Sequence, residues 1–285
     1  MVKKHISKIP PRKKDTHKGD FGHALVLAGS EGLTGAAYLA SQAALLAGSG
    51  LVTCGVPKSL NDIMEVKLTE VMTLSLPETS RRSLSLSAEK DILDFAKKIN
   101  VAALGPGISR HKETQELVCA LLKNLEKPVV LDADGIIAVA GRPDILKTRK
   151  APTVLTPHPG EMSHLTGKDV RVIQGDREKA ALSFAKKYNV ILVLKGRRTV
   201  IADPKGGVYI NKTGNSGMST AGAGDVLTGM IASFVGQGIN PYSAAVIGAY
   251  LHGLAGDLAA KEKGQFSLTA SDLLNKLPQA IKDVL

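Results

Sequence analysis

The 285-residue chain predicts an α/β fold, a doubly wound, mostly parallel sheet with helices on both faces. Three observations carry that expectation. Short apolar runs alternate with longer stretches of helical periodicity, the signature of βα units. Most of those runs are continuous Val/Ile/Leu rather than alternating, as in strands covered on both faces. The unusual glycine and polar clusters follow the runs, and an open parallel sheet gathers its carboxyl ends along one ligand-binding edge.

Strands are expected at 23–28, 51–56, 101–104, 129–131, 153–155, 190–194, 199–202 and 208–210. The last two flank Asp203-Pro204-Lys205-Gly206-Gly207 and read as a hairpin. Helices are expected at 36–47, 88–98, 113–125, 174–188, 225–235, 241–261 and 269–281. The first has apolar residues at 36, 39, 40, 43, 44, 46 and 47, a core-facing period. Neither a repeat nor a low-complexity tract interrupts the series. The organisation expected is a basic N-terminal arm, 1–16, followed by a single domain, 17–285.

The most informative stretch runs from Asn215 through Ser216-Gly217-Met218-Ser219-Thr220 to Ala221-Gly222-Ala223-Gly224-Asp225. Small residues let backbone N–H groups converge, and the apolar run 226–232 places them at a helix N-terminus. Those donors and the helix dipole make an anion site. An acid beside a bound phosphate is repelled by it, so Asp225 reads as a general base that takes a proton from a hydroxyl. The structural alternative is glycine packing with Asp225 as a favourable first-turn acid. Neither common phosphate motif is present: Gly167-Lys168 is followed by Asp169, and both G-x-G pairs, at 48–50 and 105–107, lack the third glycine.

Five clusters follow strands: Gly29 to Gly35, Gly105-Pro106-Gly107, Asp132-Ala133-Asp134, Thr156-Pro157-His158-Pro159-Gly160-Glu161, and Lys195-Gly196-Arg197-Arg198-Thr199. Each has a plain structural reading: a tight turn for 105–107, helix caps for Asp132 and Asp134, a solvated charge run for 195–198. Five on one edge are hard to explain as turns alone. His158 lacks the second ligand that a metal site requires.

Bulk properties exclude several classes. With 44% hydrophobic and 22% charged residues the chain is globular. Cys54 and Cys119 lie far apart without C-x-x-C spacing, so neither a disulfide framework nor a zinc site is expected. No apolar run reaches the roughly 18 residues of a membrane span, and Pro10-Pro11 interrupt any signal-peptide core, so a cytoplasmic protein without a membrane partner is expected. Residues 1–18 hold seven Lys or Arg against Asp15, more than half of the net charge of +11. That reads as a solvated arm. With 4% aromatics and no Trp, stacking platforms for nucleic acid are not evident, and the basic balance suits anionic small molecules.

Taken together, 215–225 and Thr156-Pro157-His158-Pro159-Gly160-Glu161 resemble the ADP/ATP-dependent NAD(P)H-hydrate dehydratases. His17-Lys18-Gly19, Gly35-Ala36-Ala37, Gly105-Pro106-Gly107, Asp132-Ala133-Asp134 and Leu194-Lys195-Gly196 add to the likeness, which runs from about His17 to near Leu277. The resemblance implies a ribokinase-like fold and an activity: hydrated NADH or NADPH is phosphorylated on its ring hydroxyl by ADP or ATP with Mg2+, and phosphate is then eliminated. It implies that Asp225 is the base and contacts the hydrate, with Ala36, Ala37, Gly107 and His158 lining the same pocket. Lys195, Gly196, Arg197, Arg198 and Thr199 would line the nucleotide site. Gly224 would lie beside its phosphate in the Ala221-Gly222-Ala223-Gly224 loop, and Glu161 would orient Mg2+ through water. Many relatives carry glycine or Gly-Thr where Ala221 and Ala223 stand. Many also carry a fused epimerase domain, so any epimerase here is expected to be a separate partner; a homo-oligomer is expected too. The alternative reading is a ribokinase-like small-molecule kinase for a vitamin-precursor alcohol.

Overall fold

The computed structural model describes residues 2–285. Nine strands form one sheet: β1 (His23–Leu27), β2 (Leu51–Pro57), β3 (Met72–Leu76), β4 (Val101–Leu104), β5 (Val129–Leu131), β6 (Thr153–Leu155), β7 (Ile191–Leu194), β8 (Val200–Ala202) and β9 (Val208–Ile210). Their order is β3-β2-β1-β4-β5-β6-β7-β8-β9. All neighbours from β3 to β7 are parallel, and β8 and β9 continue the sheet antiparallel as the expected hairpin.

Twelve α-helices cover the sheet: α1 (Lys3–Ile6), α2 (Thr34–Leu46), α3 (Asn61–Lys67), α4 (Glu89–Ala96), α5 (Lys112–Asn124), α6 (Ala133–Val139), α7 (Pro159–Thr166), α8 (Val170–Gly175), α9 (Arg177–Tyr188), α10 (Ala223–Gly236), α11 (Pro241–Lys263) and α12 (Ala270–Lys282). Side chains alternate along β1, so Ala24 and Val26 join one core and Leu25 and Leu27 the other. The first core is shared with α2, α10, α11 and α12, the second with α4, α5, α6, α7 and α9. Buried faces on both sides account for the unbroken apolar runs.

Besides the short helices α1, α3, α6 and α7, which the expected series does not contain, three features depart from the sequence reading. Strand β3 was not expected: it is an edge strand with exposed Met72, and its alternation of Met, Thr, Leu, Ser and Leu is not a continuous run. The expected helix 174–188 breaks at Asp176, whose φ of −148° and ψ of 81° end α8; its side chain then caps α9 by accepting from Lys179 N–H. The basic N-terminal residues are not simply a solvated arm. Val2, Ile6 and Ile9 stand at helical spacing; Val2 and Ile9 pack on the first core and Ile6 is buried. His5 Nδ1 and Lys8 Nζ lie 3.1 and 2.9 Å from Ser243 Oγ on α11. Residues 11–20 are exposed, although the Arg12 guanidinium sits 4.0 Å from the Phe21 ring centroid.

The contact that positions the site is α10 against α2. Gly229, midway along α10, lies so close to α2 that a Cβ there would fall 2.0 Å from the Ala40 carbonyl oxygen. Backbone cannot retreat as a flexible side chain would. Gly229→Ala is therefore expected to cost about 3 kcal/mol through overpacking, despite the better helix propensity of alanine. Thermal unfolding should show a Tm lower by roughly 5–10 °C; an unchanged or raised Tm would mean that the two helices separate freely.

Candidate functional site

The chain leaves β1 toward α2 on one face and leaves β4 toward α5 on the other, so the carboxyl ends of these neighbours flank a crevice. Gly29 N–H donates to Pro106 O at 2.8 Å, and Ser30 Oγ donates to Gly107 O at 2.8 Å, tying the two exits together. Gly105, at φ +129°, passes so near the next loop that a Cβ would lie 1.9 Å from Asp132 O. At Gly107 a Cβ would meet those of Ala36 and Leu33 at 3.0 Å, so Gly107 and half-buried Ala36 share one wall. Ala37 does not share it: its side chain is fully buried, packed beneath Gly29.

Farther along the edge, the exits of β5, β6 and β7 bring charges together. Lys195 Nζ donates to Asp132 Oδ1 at 2.6 Å and stands 3.8 Å from Glu161 Oε2. Asp132 is 1% exposed and Lys195 18%. Thr228 Oγ1, from α10, donates to the other Asp132 oxygen at 2.8 Å. Asp132 occupies the N-cap position of α6 yet makes no cap bond. Asp134 does not cap either; it accepts from Ser109 N–H and from Arg110 Nε, each at 3.1 Å. His158 and Glu161 do form a reciprocal cap on α7. His158 Nδ1 accepts from the N–H groups of Gly160 and Glu161, while His158 N–H donates to Glu161 Oε2 at 2.7 Å.

Burial and crowding shift these groups. Burial pushes the Glu161 carboxyl up, with Asp132 adding to the rise and Lys195 opposing it. Burial alone would lower Lys195, but Asp132, Glu161 and Asp225 outweigh it and its pKa rises. Asp225 is raised from 3.8 to about 7, first by burial and then by Asp132, with Lys195 only partly compensating. A carboxylate poised near neutrality suits a general base.

The small-residue loop enters α10 as expected. Gly222 caps the helix at φ +88° and Ala223 is its first residue. Among the described residues, the N–H groups of Ala221, Gly222, Gly224 and Asp225 meet no acceptor. These free donors open a 14-residue helix and supply the anion cradle. The positive φ lies at Gly222; Gly224 is helical, and a Cβ there would stand 3.3 Å from Lys195 Nζ and 3.9 Å from Asp132 Oδ2. Its bare backbone thus joins the cradle to the charge cluster.

A cleft of about 1000 Å3 opens beside the loop and is lined by Gly196, Arg197, Arg198, Thr199, Ala223 and Gly224, among others. Lys195 reaches it too, but its ammonium group points to the acids rather than standing free. Four residues not singled out from the sequence shape this cleft. Arg177 donates to the carbonyls of Leu194 and Lys195 at 2.8 and 3.2 Å and pins the β7 exit. Asn211 Nδ2 donates to Ala249 O at 2.9 Å. Asp257 accepts from Gly214 N–H and Asn215 Nδ2, which holds the loop before the cradle against α11. His252 Nε2 lies 2.9 Å from Ala223 O; burial lowers its pKa to about 4, so the neutral ring donates there. A lone histidine ending an apolar run was the only sequence signal for His252.

An open, mostly parallel sheet with a phosphate-type cradle at the start of a late helix is a ribokinase-like α/β architecture, and solved ribokinases share it. The sequence matches the family model described as NAD(P)H-hydrate dehydratase over residues 24–279. The chain belongs to that family. It is 49% identical over 278 residues to the bifunctional NAD(P)H-hydrate repair enzyme of Moorella thermoacetica, covering 98% of this chain and 52% of the relative. To the ADP-dependent (S)-NAD(P)H-hydrate dehydratase of Bacillus subtilis it is 34% identical, covering 96% of this chain and 94% of the relative. The crystal structure of the ADP/ATP-dependent NAD(P)H-hydrate dehydratase from Bacillus subtilis, co-crystallized with ATP/Mg2+, superimposes with a TM-score of 0.86 at 31% identity, over 100% of this chain and 98% of that one. This chain spans about half the length of the bifunctional relatives it matches. Among the described residues, no helix is long and apolar enough to cross a membrane.

The raised Asp225 pKa has a consequence for stability that is independent of catalysis. Its folded value, about 7, exceeds the 3.8 of an ordinary aspartate. The folded state therefore holds the extra proton between those values, and stability falls as pH rises from about 4 to about 7. Replacing the group with a neutral amide removes that penalty. Asp225→Asn should melt several degrees above the native chain at pH 8, and the difference should vanish near pH 4. A variant less stable at pH 8 would show that Asp225 is not held above its ordinary pKa.

Proposed function

We propose that the chain restores hydrated NADH or NADPH, with ADP or ATP as the phosphate source and Mg2+ bound with the nucleotide. The observation that carries this is Asp225 placed one residue past Gly224, near-neutral in pKa and at the mouth of an unpaired N–H cradle. In this reading the nucleotide lies in the cleft along Gly196, Arg197, Arg198 and Thr199, with its terminal phosphoryl group at 221–224. The hydrate lies at the crevice between Gly107, Ala36 and His158. Asp225 takes the proton of the ring hydroxyl as its oxygen bonds to phosphorus and the bond to the leaving nucleotide breaks. ATP leaves as ADP, or ADP as AMP. The neighbouring ring carbon then loses its proton as the carbon–oxygen bond to phosphate breaks, which restores the double bond.

Among the described residues, no group of three or more His, Cys, Asp or Glu side chains is arranged to hold a metal directly. That fits Mg2+, which keeps several waters and binds mainly through nucleotide phosphates, where it neutralises charge. In this reading Glu161, 7% exposed and beside Lys195, holds one of those waters. The bifunctional naming of the repair-enzyme relatives supports a second repair activity beside this one, which in this reading is an epimerase on a separate protein. The same reading includes a cytoplasmic setting and a homo-oligomeric protein.

Incubating the chain with hydrated NADH, Mg2+ and either ADP or ATP should restore the absorbance of NADH with release of phosphate. Consumption of nucleotide with the hydrate left phosphorylated would instead identify an ordinary kinase. Activity should climb with pH to a midpoint near 7, as Asp225 loses its proton. Asp225→Asn should lower kcat about 100- to 10,000-fold and flatten that limb while nucleotide still binds. Near-native turnover in the variant would remove Asp225 from the chemistry.

Gly224→Val tests the cradle separately. No positive φ is required at this position, but a Cβ alone would stand 3.3 Å from Lys195 Nζ, so the end of that side chain must shift as the branched side chain covers the loop. Calorimetry should show nucleotide affinity reduced at least about tenfold with a modest loss of Tm. A large drop in Tm with unchanged affinity would mean that the glycine serves packing alone.

A further inference from the structure

A second hollow, of about 410 Å3, lies between α7, α8 and α9 and shares no lining residue with the cleft. Its volume falls within the range of small-molecule sites. The floor is apolar and partly aromatic. Leu165, Ile173, Phe184 and Tyr188 are all buried, and the Phe184 and Tyr188 rings lie with centroids 4.5 Å apart at an interplanar angle of 41°. The rim is cationic. Lys168, Lys179 and Lys187 line it, and none forms an ion pair among the described residues. Lys187 Nζ stands 5.1 Å from the Tyr188 ring centroid. Asp176 is the one acid in the lining, and its Oδ1 already accepts from Lys179 N–H as the cap of α9.

An apolar floor beneath a rim of three lysines and one acid, Asp176, selects for one kind of ligand. A neutral hydrophobe leaves the ammonium groups unanswered, and a compact hydrated anion gains nothing from the floor. We propose that this hollow is a binding site for a small amphipathic anion, a planar apolar body bearing one carboxylate, sulfonate or phosphate. The body lies over Phe184 and Tyr188, displacing water from apolar surface. The anionic group meets exposed Lys179 or Lys187 at the rim, where a charge-assisted hydrogen bond adds to the apolar contact beneath.

Anilinonaphthalene sulfonate, an aromatic body with one anionic group, is a suitable probe for the full chain. Fluorescence titration should show one saturable site per chain. The uncharged analogue phenylnaphthylamine should bind at least about tenfold more weakly. The double variant Lys179→Glu/Lys187→Glu, which alters only exposed side chains, should weaken the sulfonate about tenfold or more and leave the neutral analogue unchanged. Ala180→Trp, which fills the hollow from α9, should abolish both. Equal binding of the charged and neutral probes, or sulfonate binding unaffected by the lysine variant, would overturn the proposal.

Discussion

The buried pair of Lys195 and Asp132 is the interaction on which the site depends. Asp132 is almost wholly removed from water, and an ionised carboxylate in that position is costly without a partner and further hydrogen bonds. It has both: Lys195 from the β7 exit on one oxygen and Thr228 from α10 on the other. Three segments distant in sequence are thereby held together, across the intervening β6. Arg177 fixes the backbone from which Lys195 extends, and Gly229 lets α10 come near enough for Thr228 to reach. Lys195 also answers Glu161 and Asp225, so one cation faces three acids, and Asp225 is left undercompensated. Burial raises Asp225 first, and the two members of the pair then act on it in opposite directions, Asp132 upward and Lys195 downward.

Much of this was legible in the sequence, because it depends on local chemistry. Continuous runs such as Val101–Leu104 and Val129–Leu131 are strands because both sheet faces are covered, and that burial is written residue by residue. The 221–224 loop is readable because only small residues let four N–H groups converge. Its exact conformation was less so: nothing local distinguishes Gly222, which takes the positive φ, from Gly224, which is helical.

What escaped the sequence reading depends on partners far along the chain. Asp132 has the composition and position of a helix cap, and only the arrival of Lys195, 63 residues later, diverts its side chain. Asp257 and His252 lie on α11 with no motif of their own; their roles arise because that helix passes behind the 211–224 segment. Strand β3 was missed for the converse reason, since an edge strand with little buried surface has no continuous apolar signature. The first residues read as a charged arm because lysines dominate the composition, yet Val2 and Ile9 pack on the first core.

The unpaired N–H groups and Asp225 occupy the same turn of one helix, and an anion held by the first conflicts with a charge on the second. A helix N-terminus favours a negative charge, which draws a proton away from Asp225 and also attracts phosphate. Both anions cannot be fully charged at that point without strong repulsion. The structure resolves this by depth. Gly224 lines the cleft, while the Asp225 carboxyl is largely withdrawn from water, and burial first, then the field of Asp132, raises its pKa against the pull of the helix. The result is an acid near its titration midpoint at neutral pH, so that gaining or losing a proton costs little free energy. Small residues are consequently needed at 221–224 for two reasons, since a side chain there would both cover the donors and separate the phosphate site from the base.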